Sequence, residues 1–312
     1  VCAQLKNIIG HGLEAECLIE IKKDGQKTAS DTQRVVFRSE QMQTVRVQIP
    51  IEHPKKWGPK QPALYECHIT TKFDDKICDE AVSNFGIRVL ALDPVHGLQI
   101  NGETVKLRGT CIHHDNGVIG AETFKEAEWY RCKRLKEAGF NAIRSAHHPM
   151  SRAMLDACDH IGMLVMDEFV DVWYIHKTEY DYVNYFKEWW KQDLKDMVEK
   201  DFNHPSVILY SIGNEVSETA QKKGIHLTKM MTEYLHRLDD SRPVSCGINI
   251  FFNFLSSIGF GVYSDKKAKK EAEQAEKTKG KKKKKAVGSQ FFNDLAGLMG
   301  SGFMKTGATF YG

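Results

Sequence analysis

The residues with chemistry to offer fall at the ends of apolar runs. The run over 207–212 is bounded by Pro205 and Gly213 and ends in Asn214 and Glu215, an amide and a carboxylate. Shorter runs upstream end the same way, in His113-His114-Asp115, in Arg144 with His147 and His148, and in Asp167-Glu168 followed by Asp171 and Trp173. Titratable and aromatic side chains at consecutive strand ends are what a parallel barrel requires, because its site is assembled from strand ends remote in sequence. A carboxylic acid beside an amide, with His, Arg and Trp around it, suits a pocket that binds hydroxyls, stacks a sugar ring and protonates a leaving oxygen. Glycoside cleavage asks for such an acid and for a second carboxyl across the scissile bond. Other chemistries fit less well. His113 and His114 point in different directions on an extended segment, and no His-x-His or His-x-x-x-His spacing offers zinc ligands. No Gly-x-Ser-x-Gly elbow and no glycine-rich phosphate loop follows a strand, so no metal or cofactor is expected.

Positioning these residues takes alternating strands and helices. The run over 207–212 reads as a strand covered on both faces, as in parallel sheets. From residue 93 the pattern gives strands over 105–107, 141–145, 163–166, 207–212 and 244–246. Helices are expected over 126–138, 151–161, 182–200 and 219–238, with Ser151 as an N-cap and Gly162 beyond the end of its helix. Such units wind into a barrel or an open sheet. Residues 1–92 read instead as all-β, with segments over 16–22, 34–37, 44–50, 65–71 and 81–90, and suggest an immunoglobulin-like β-sandwich. The expected fold is therefore that sandwich followed by a TIM (β/α)8 barrel domain over 93–312. From 251 the pattern fails. Residues 251–263 are apolar without a clean period, 265–285 form a Lys/Glu tract ending in five lysines, and 291–299 could form one short helix. The tract reads as a solvated insertion in a barrel loop.

Length and composition set limits. A chain of 312 residues suggests about two domains. A formal net charge of +3, with 15 of the Lys, Asp and Glu residues crowded into 265–285, does not argue for nucleic acid, and no apolar run approaches the roughly 20 residues of a membrane span. Salt-dependent binding through lysines 281–285 is the exception to test. Eight scattered cysteines without Cys-x-x-Cys spacing read as reduced thiols. No signal peptide opens the chain, and a cytoplasmic protein is expected.

The segment from Asn203 to Glu215 resembles the acid/base motif of glycoside hydrolase family 2, the β-galactosidase, β-glucuronidase and β-mannosidase group. The matches run in family order from residue 57 to 247. They are Trp57 with Pro62 to Tyr65, Phe85 to Arg88, Asn101-Gly102, Leu107 to Gly109, His113 to Asp115, Asn141 to Arg144 with His147 and Pro149, Asp167-Glu168, and Arg242-Pro243. The resemblance implies Glu215 as general acid/base and Asn214 as the residue that bonds the sugar 2-hydroxyl. It also implies that Arg144 supports the carboxylates, that His113 and His147 bind substrate hydroxyls, and that Asp167 and Glu168 line the site. Trp173 is expected to contact the sugar. The family is retaining, with a second glutamate as nucleophile on the seventh barrel strand. Glu271, Glu273 and Glu276, the glutamates after Cys246, all sit in the Lys-rich tract. The chain is thus expected to be a fragment that lacks the family's N-terminal sugar-binding domain and ends after about five of eight barrel strands. Its open barrel edge would favour marginal stability or self-association, including a homo-oligomer. The expected partner is a carbohydrate substrate, with β-galactoside favoured. A β-glucuronidase-type specificity and a non-catalytic carbohydrate-binding role stay open.

Overall fold

The computed structural model describes residues 1–257. The expected insertion over 265–285 and the helix over 291–299 lie outside the described residues. The N-terminal part comprises β1 (Cys2–Lys6), β2 (Leu13–Lys23), β3 (Gln26–Phe37), β4 (Met42–Arg46), β5 (Tyr65–Phe73) and β6 (Lys76–Phe85), all antiparallel. They form a four-stranded sheet in the order β3-β2-β5-β6 and a two-stranded sheet, β1-β4. Ala15, Cys17, Ile19 and Ile21 are buried at every second position of β2, the period that puts one face of a strand inward. They share a core with Phe37, Tyr65 and Cys67, which Val45 of the smaller sheet joins.

The strand expected over 81–90 is interrupted. β6 stops at Phe85, and β7 (Leu90–Asp93) begins a separate antiparallel meander with β8 (Gly97–Ile100) and β9 (Glu103–Thr104). The break falls where Gly86 passes Pro205 so closely that a Cβ there would lie 2.6 Å from the proline ring.

The second part alternates strand and helix: β10 (Gly109–Ile112), α1 (Lys125–Glu137), β11 (Ala142–Ser145), α2 (Arg152–Ile161), β12 (Leu164–Glu168), α3 (Val183–Asp201), β13 (Val207–Ser211), α4 (Lys222–Leu238) and β14 (Val244–Ser245). The five strands are parallel and lie side by side in chain order, consistent with one wall of a barrel. A last helix, α5 (Ile250–Ser257), covers part of the apolar stretch that shows no period in the sequence.

Two expected elements are corrected. The first strand is Gly109–Ile112, not 105–107, because Asn141 takes 106–108 out of the ladder. Its Oδ1 accepts from Arg108 N at 2.6 Å and its Nδ2 donates to Lys106 O at 2.8 Å. The helix expected from 219 starts at Lys222, after a 3-10 turn over Ser217–Ala220. Gly224 packs against that turn, where a Cβ would meet the Glu218 carbonyl oxygen at 1.9 Å.

Helix ends follow local chemistry. Ser151 Oγ accepts from Met154 N at 3.2 Å, satisfying one of the free N–H groups at the start of α2. Gly162 closes α2 at φ +75°, and the Pro59 carbonyl lies against it, so no side chain fits there. The faces of α2 and α3 that carry Met154, Leu155, Cys158, Phe186, Leu194 and Met197 fill the core behind the parallel sheet. The two parts of the chain are docked at the amino ends of the parallel strands. Trp57 Nε1 donates to Asp159 O at 2.8 Å, and Arg88 donates to the carbonyls of Pro205 and Val207, both at 2.6 Å. Trp57, Ile100, Leu164 and Ile208 bury this junction.

Candidate active site

The carboxyl ends of β10 to β13 carry the polar residues that the sequence singles out, and the structure links several of them into one network. Glu168, the last residue of β12, is fully buried. Its Oε2 accepts from Arg144 Nε at 3.0 Å, Arg144 Nη2 at 2.6 Å and Ser211 Oγ at 2.7 Å, and Oε1 lies 2.6 Å from His147 Nδ1. Arg144 Nη2 also donates to Asn214 Oδ1 at 2.9 Å. One guanidinium therefore ties the end of β12 to the turn after β13.

Both ends of the Asn214 amide are specified, since Nδ2 donates to Asp171 Oδ1 at 2.8 Å. The next residue, Glu215, has φ +47°, a left-handed backbone that costs a non-glycine residue about 1–3 kcal/mol and persists only when its surroundings over-determine it. Those surroundings come from the neighbouring strand. Gly247 N donates to Gly213 O at 2.7 Å, and Asn249 Nδ2 donates to Glu215 Oε1 at 3.0 Å. Gly247 has to be glycine, because a Cβ would sit 2.9 Å from Gly213 O and 3.1 Å from Arg144 Nη2.

The histidines meet in pairs. The His113 and His147 rings are edge to face with centroids 5.3 Å apart, and those of His114 and His148 lie 4.3 Å apart. His113 is exposed and available to a ligand. Burial, with the neighbouring His148 and Arg131, pushes the His114 imidazole down to about 4. Beside this group a cavity of about 400 Å³ is lined by His147, His148, Phe169, Asp171, Asp181 and Tyr182, among others.

Besides Glu168, whose carboxylate is satisfied within the network, two of the expected ligand-contacting residues turn out to be internal supports. Trp173 is fully buried, with Nε1 donating to Ile212 O at 2.9 Å and its ring against Gly213, so it has no free face for a sugar. Asp167 is also fully buried, bonded to Ser145 Oγ, Met150 N and Lys200 Nζ. Burial works against its charge, but Lys200 and these hydrogen bonds outweigh it and hold the carboxyl below the usual carboxylate range. Burial and the Asp167 charge push the adjacent Asp201 well above that range. Ser145 Oγ, in turn, accepts from Glu168 N at 2.7 Å, so Asp167 acts on the site through the backbone of its neighbour.

Sequence reasoning passes over Ser211, Lys177 and Asn249. Asn249 had a usable signal, since it follows the fifth strand as Glu215 follows the fourth. Among the described residues one group could surround a metal ion, Asp156, Asp159 and His204, whose ligand atoms lie within 4.8 Å of one another. It lies toward the amino end of β13, away from the site. Both Asp159 oxygens are already engaged, by His204 Nδ1 at 2.7 Å and Ser206 N at 3.0 Å.

Comparison with known proteins bears on the same residues. Residues 95–308 match the family model for the TIM barrel domain of glycosyl hydrolases family 2, and residues 1–88 match a second model of that family. A β-galactosidase of Bacteroides ovatus is 33% identical over 280 residues, covering 80% of this chain and 31% of the relative. A β-glucuronidase of Bacteroides fragilis is 29% identical over 203 residues, covering 64% of this chain and 29% of the relative. The crystal structure of a family 2 glycosyl hydrolase from Bacteroides cellulosilyticus superposes with a TM-score of 0.74 at 37% identity, over 80% of this chain and 33% of that one. The chain thus spans about a third of the length of these relatives. With a family model matched along most of its length and a parallel sheet that presents the motif residues at its strand ends, the chain belongs to glycosyl hydrolases family 2.

Proposed function

We propose that this chain carries the acid/base half of a retaining β-glycosidase site, with Glu215 as general acid/base and Asn214 as the ligand of the sugar 2-hydroxyl. Arg144 and Glu168 hold Asn214 in place, and His113 and His147 contact substrate hydroxyls. The second carboxylate comes from outside the described residues. The observation that carries this reading is the Glu168-Arg144-Asn214 chain of hydrogen bonds. It orients the amide beside a carboxyl that projects from a left-handed backbone. Retaining cleavage needs an acid so placed to protonate the leaving oxygen and then to act as base on water.

A neutral sugar, β-galactoside above all, is favoured over a β-glucuronide. Among the described residues the cavity beside the site is lined by Asp171, Asp181 and Asp193 and by no lysine or arginine; Asp171 is paired with Lys177, and the other two carboxylates disfavour a uronate. The same reading treats the N-terminal sheets as an immunoglobulin-like support domain over 1–92 and assigns the protein to the cytoplasm. It takes a carbohydrate as partner and neither nucleic acid nor membrane. Hydrolysis of p-nitrophenyl β-galactoside and β-glucuronide by the full-length protein tests it, with Glu215→Gln expected to lower the rate by about 10²–10⁴. Galactose binding by calorimetry without any hydrolysis would favour a purely carbohydrate-binding role.

A further inference from the structure

The turn that carries Glu215 is held on two sides. On one side the support comes from Gly247 and Asn249, which follow β14. On the other side it comes from the loop between β12 and α3, where Trp173 holds Ile212 O, Asp171 holds the Asn214 amide and the Lys177 ammonium holds the Asn214 backbone. Lys177 Nζ donates to the backbone oxygen of Asn214 at 2.8 Å and to Asp171 Oδ1 at 2.6 Å, and the same Oδ1 accepts from Asn214 Nδ2. The carbonyl that Lys177 grips belongs to the peptide joining Asn214 to Glu215. Rotation of that peptide is what would release Glu215 from its left-handed φ.

Lys177 is itself held. Asp181 Oδ2 accepts from Lys177 N at 2.7 Å and Thr178 N at 3.0 Å, and Asp181 Oδ1 lies 2.8 Å from His176 Nδ1. The loop is closed further down by Glu218, whose Oε1 accepts from Tyr174 N and Ile175 N. Burial works against the charge of Asp171, but hydrogen bonds from Lys177 and Asn214 prevail and keep it below the usual carboxylate range, so the carboxylate stays ionised at neutral pH. The ammonium therefore has an ionised partner and a neutral carbonyl to bridge, and its stem emerges from a backbone with little freedom.

We infer that Lys177 is a positioning residue for catalysis, one that clamps the Asn214-Glu215 peptide so that the Glu215 carboxyl is presented to the leaving-group oxygen. This rests on the acid/base reading of Glu215 given above. Lys177 takes no part in proton transfer, and its effect is carried by where Glu215 stands. A displacement on the order of 1 Å at the reacting centre is enough to cost about 100-fold in rate.

Leaving-group dependence separates this role from a merely structural one. Phenol needs a proton from the acid as it departs, whereas 2,4-dinitrophenolate does not, and kcat/KM reports the step in which that proton moves. The full-length enzyme and its Lys177→Met, Lys177→Arg and Glu215→Gln variants would be assayed on phenyl and 2,4-dinitrophenyl β-galactosides, or on the matched β-glucuronides if that sugar is preferred. Lys177→Met is expected to lose about 100-fold in kcat/KM on the phenyl glycoside and less than about 5-fold on the dinitrophenyl one. Lys177→Arg, which keeps a cation with several donors, is expected to recover most of the loss. No loss in Lys177→Met, or equal losses on both substrates, overturns the clamp while a selective loss in Glu215→Gln leaves the acid assignment standing. A Glu215→Gln variant without that selectivity overturns the acid assignment, and the clamp with it.

Discussion

Arg144 and Glu168 form a buried ion pair in which two guanidinium nitrogens, Nε and Nη2, converge on one carboxylate oxygen at 3.0 and 2.6 Å. The arginine comes from β11 and the glutamate from β12, so the pair bridges neighbouring strands toward the carboxyl end of the sheet that carries the candidate site. Removing one member of a buried pair strands the charge of the other, at a cost of about 3–5 kcal/mol. Arg144→Met is therefore expected to destabilise the protein by roughly that amount, measured by urea unfolding. Glu168→Gln, which keeps the shape and part of the hydrogen bonding, should cost less than Arg144→Met. Equal stability of wild type and Arg144→Met would show the pair to be structurally idle.

Gly247 sits where β14 meets the turn after β13. A methyl group there would press on Gly213 O, Arg144 Nη2 and the Asn214 Cα, at 2.9, 3.1 and 3.3 Å. Gly247→Ala should cost about 1–3 kcal/mol through overpacking. On the proposed function, the full-length protein should also lose kcat beyond what its melting temperature suggests, because the displaced groups are those that orient Asn214. A variant with wild-type kcat would count against the tight packing described for this turn.

The His114 imidazole ties the fold to pH. Its folded value lies near 4 against an ordinary 6.5, so the neutral ring is the form the fold prefers. Its contribution to stability is complete above pH 6.5 and is lost as pH falls from 6.5 toward 4. Replacement by Gln, which cannot take up a proton, should flatten the melting temperature against pH in that window and leave it unchanged above. Melting curves from pH 4 to pH 8 on both proteins read this out. Parallel profiles would mean that other groups set the acid limb.

Trp57 closes the junction between the antiparallel part and the parallel sheet. Its Nε1 is the donor that satisfies the Asp159 carbonyl, and the ring is fully buried. Trp57→Phe leaves a buried acceptor unsatisfied and should cost about 1–3 kcal/mol. Denaturant unfolding followed by circular dichroism is the check. A change below about 0.5 kcal/mol, typical of a surface site, would show that the junction does not depend on this bond.

Much of the scaffold could be read directly from residue order. The strand over 16–22, the Ser151 cap, the Gly162 stop and the run over 207–212 are consequences of short-range geometry, and each recurs in the structure where the sequence puts it. The strand expected over 105–107 fails for the opposite reason. Its apolar residues are as suited to a strand as those of β10, and the bonds from Asn141, more than thirty positions away, decide between them.

The site divides along the same line. Strand-end position, a local property, picks out His113, Arg144, His147, Glu168, Asn214 and Glu215. Whether a residue at a strand end faces the site or props it up depends on what packs against it. Trp173 and Asp167 have the chemistry of ligand contacts and yet are buried, the one under the Gly213 turn and the other against Lys200. Lys177 lies 37 positions from the carbonyl it holds, and nothing in its immediate surroundings marks it out. The sequence by itself determined the family and the order of strands and helices, and it singles out Glu215 as the acid proposed above. Tertiary structure alone decided which polar groups are satisfied internally and which are left for a ligand, because hydrogen-bond partners and desolvation depend on distance in space and not on distance along the chain.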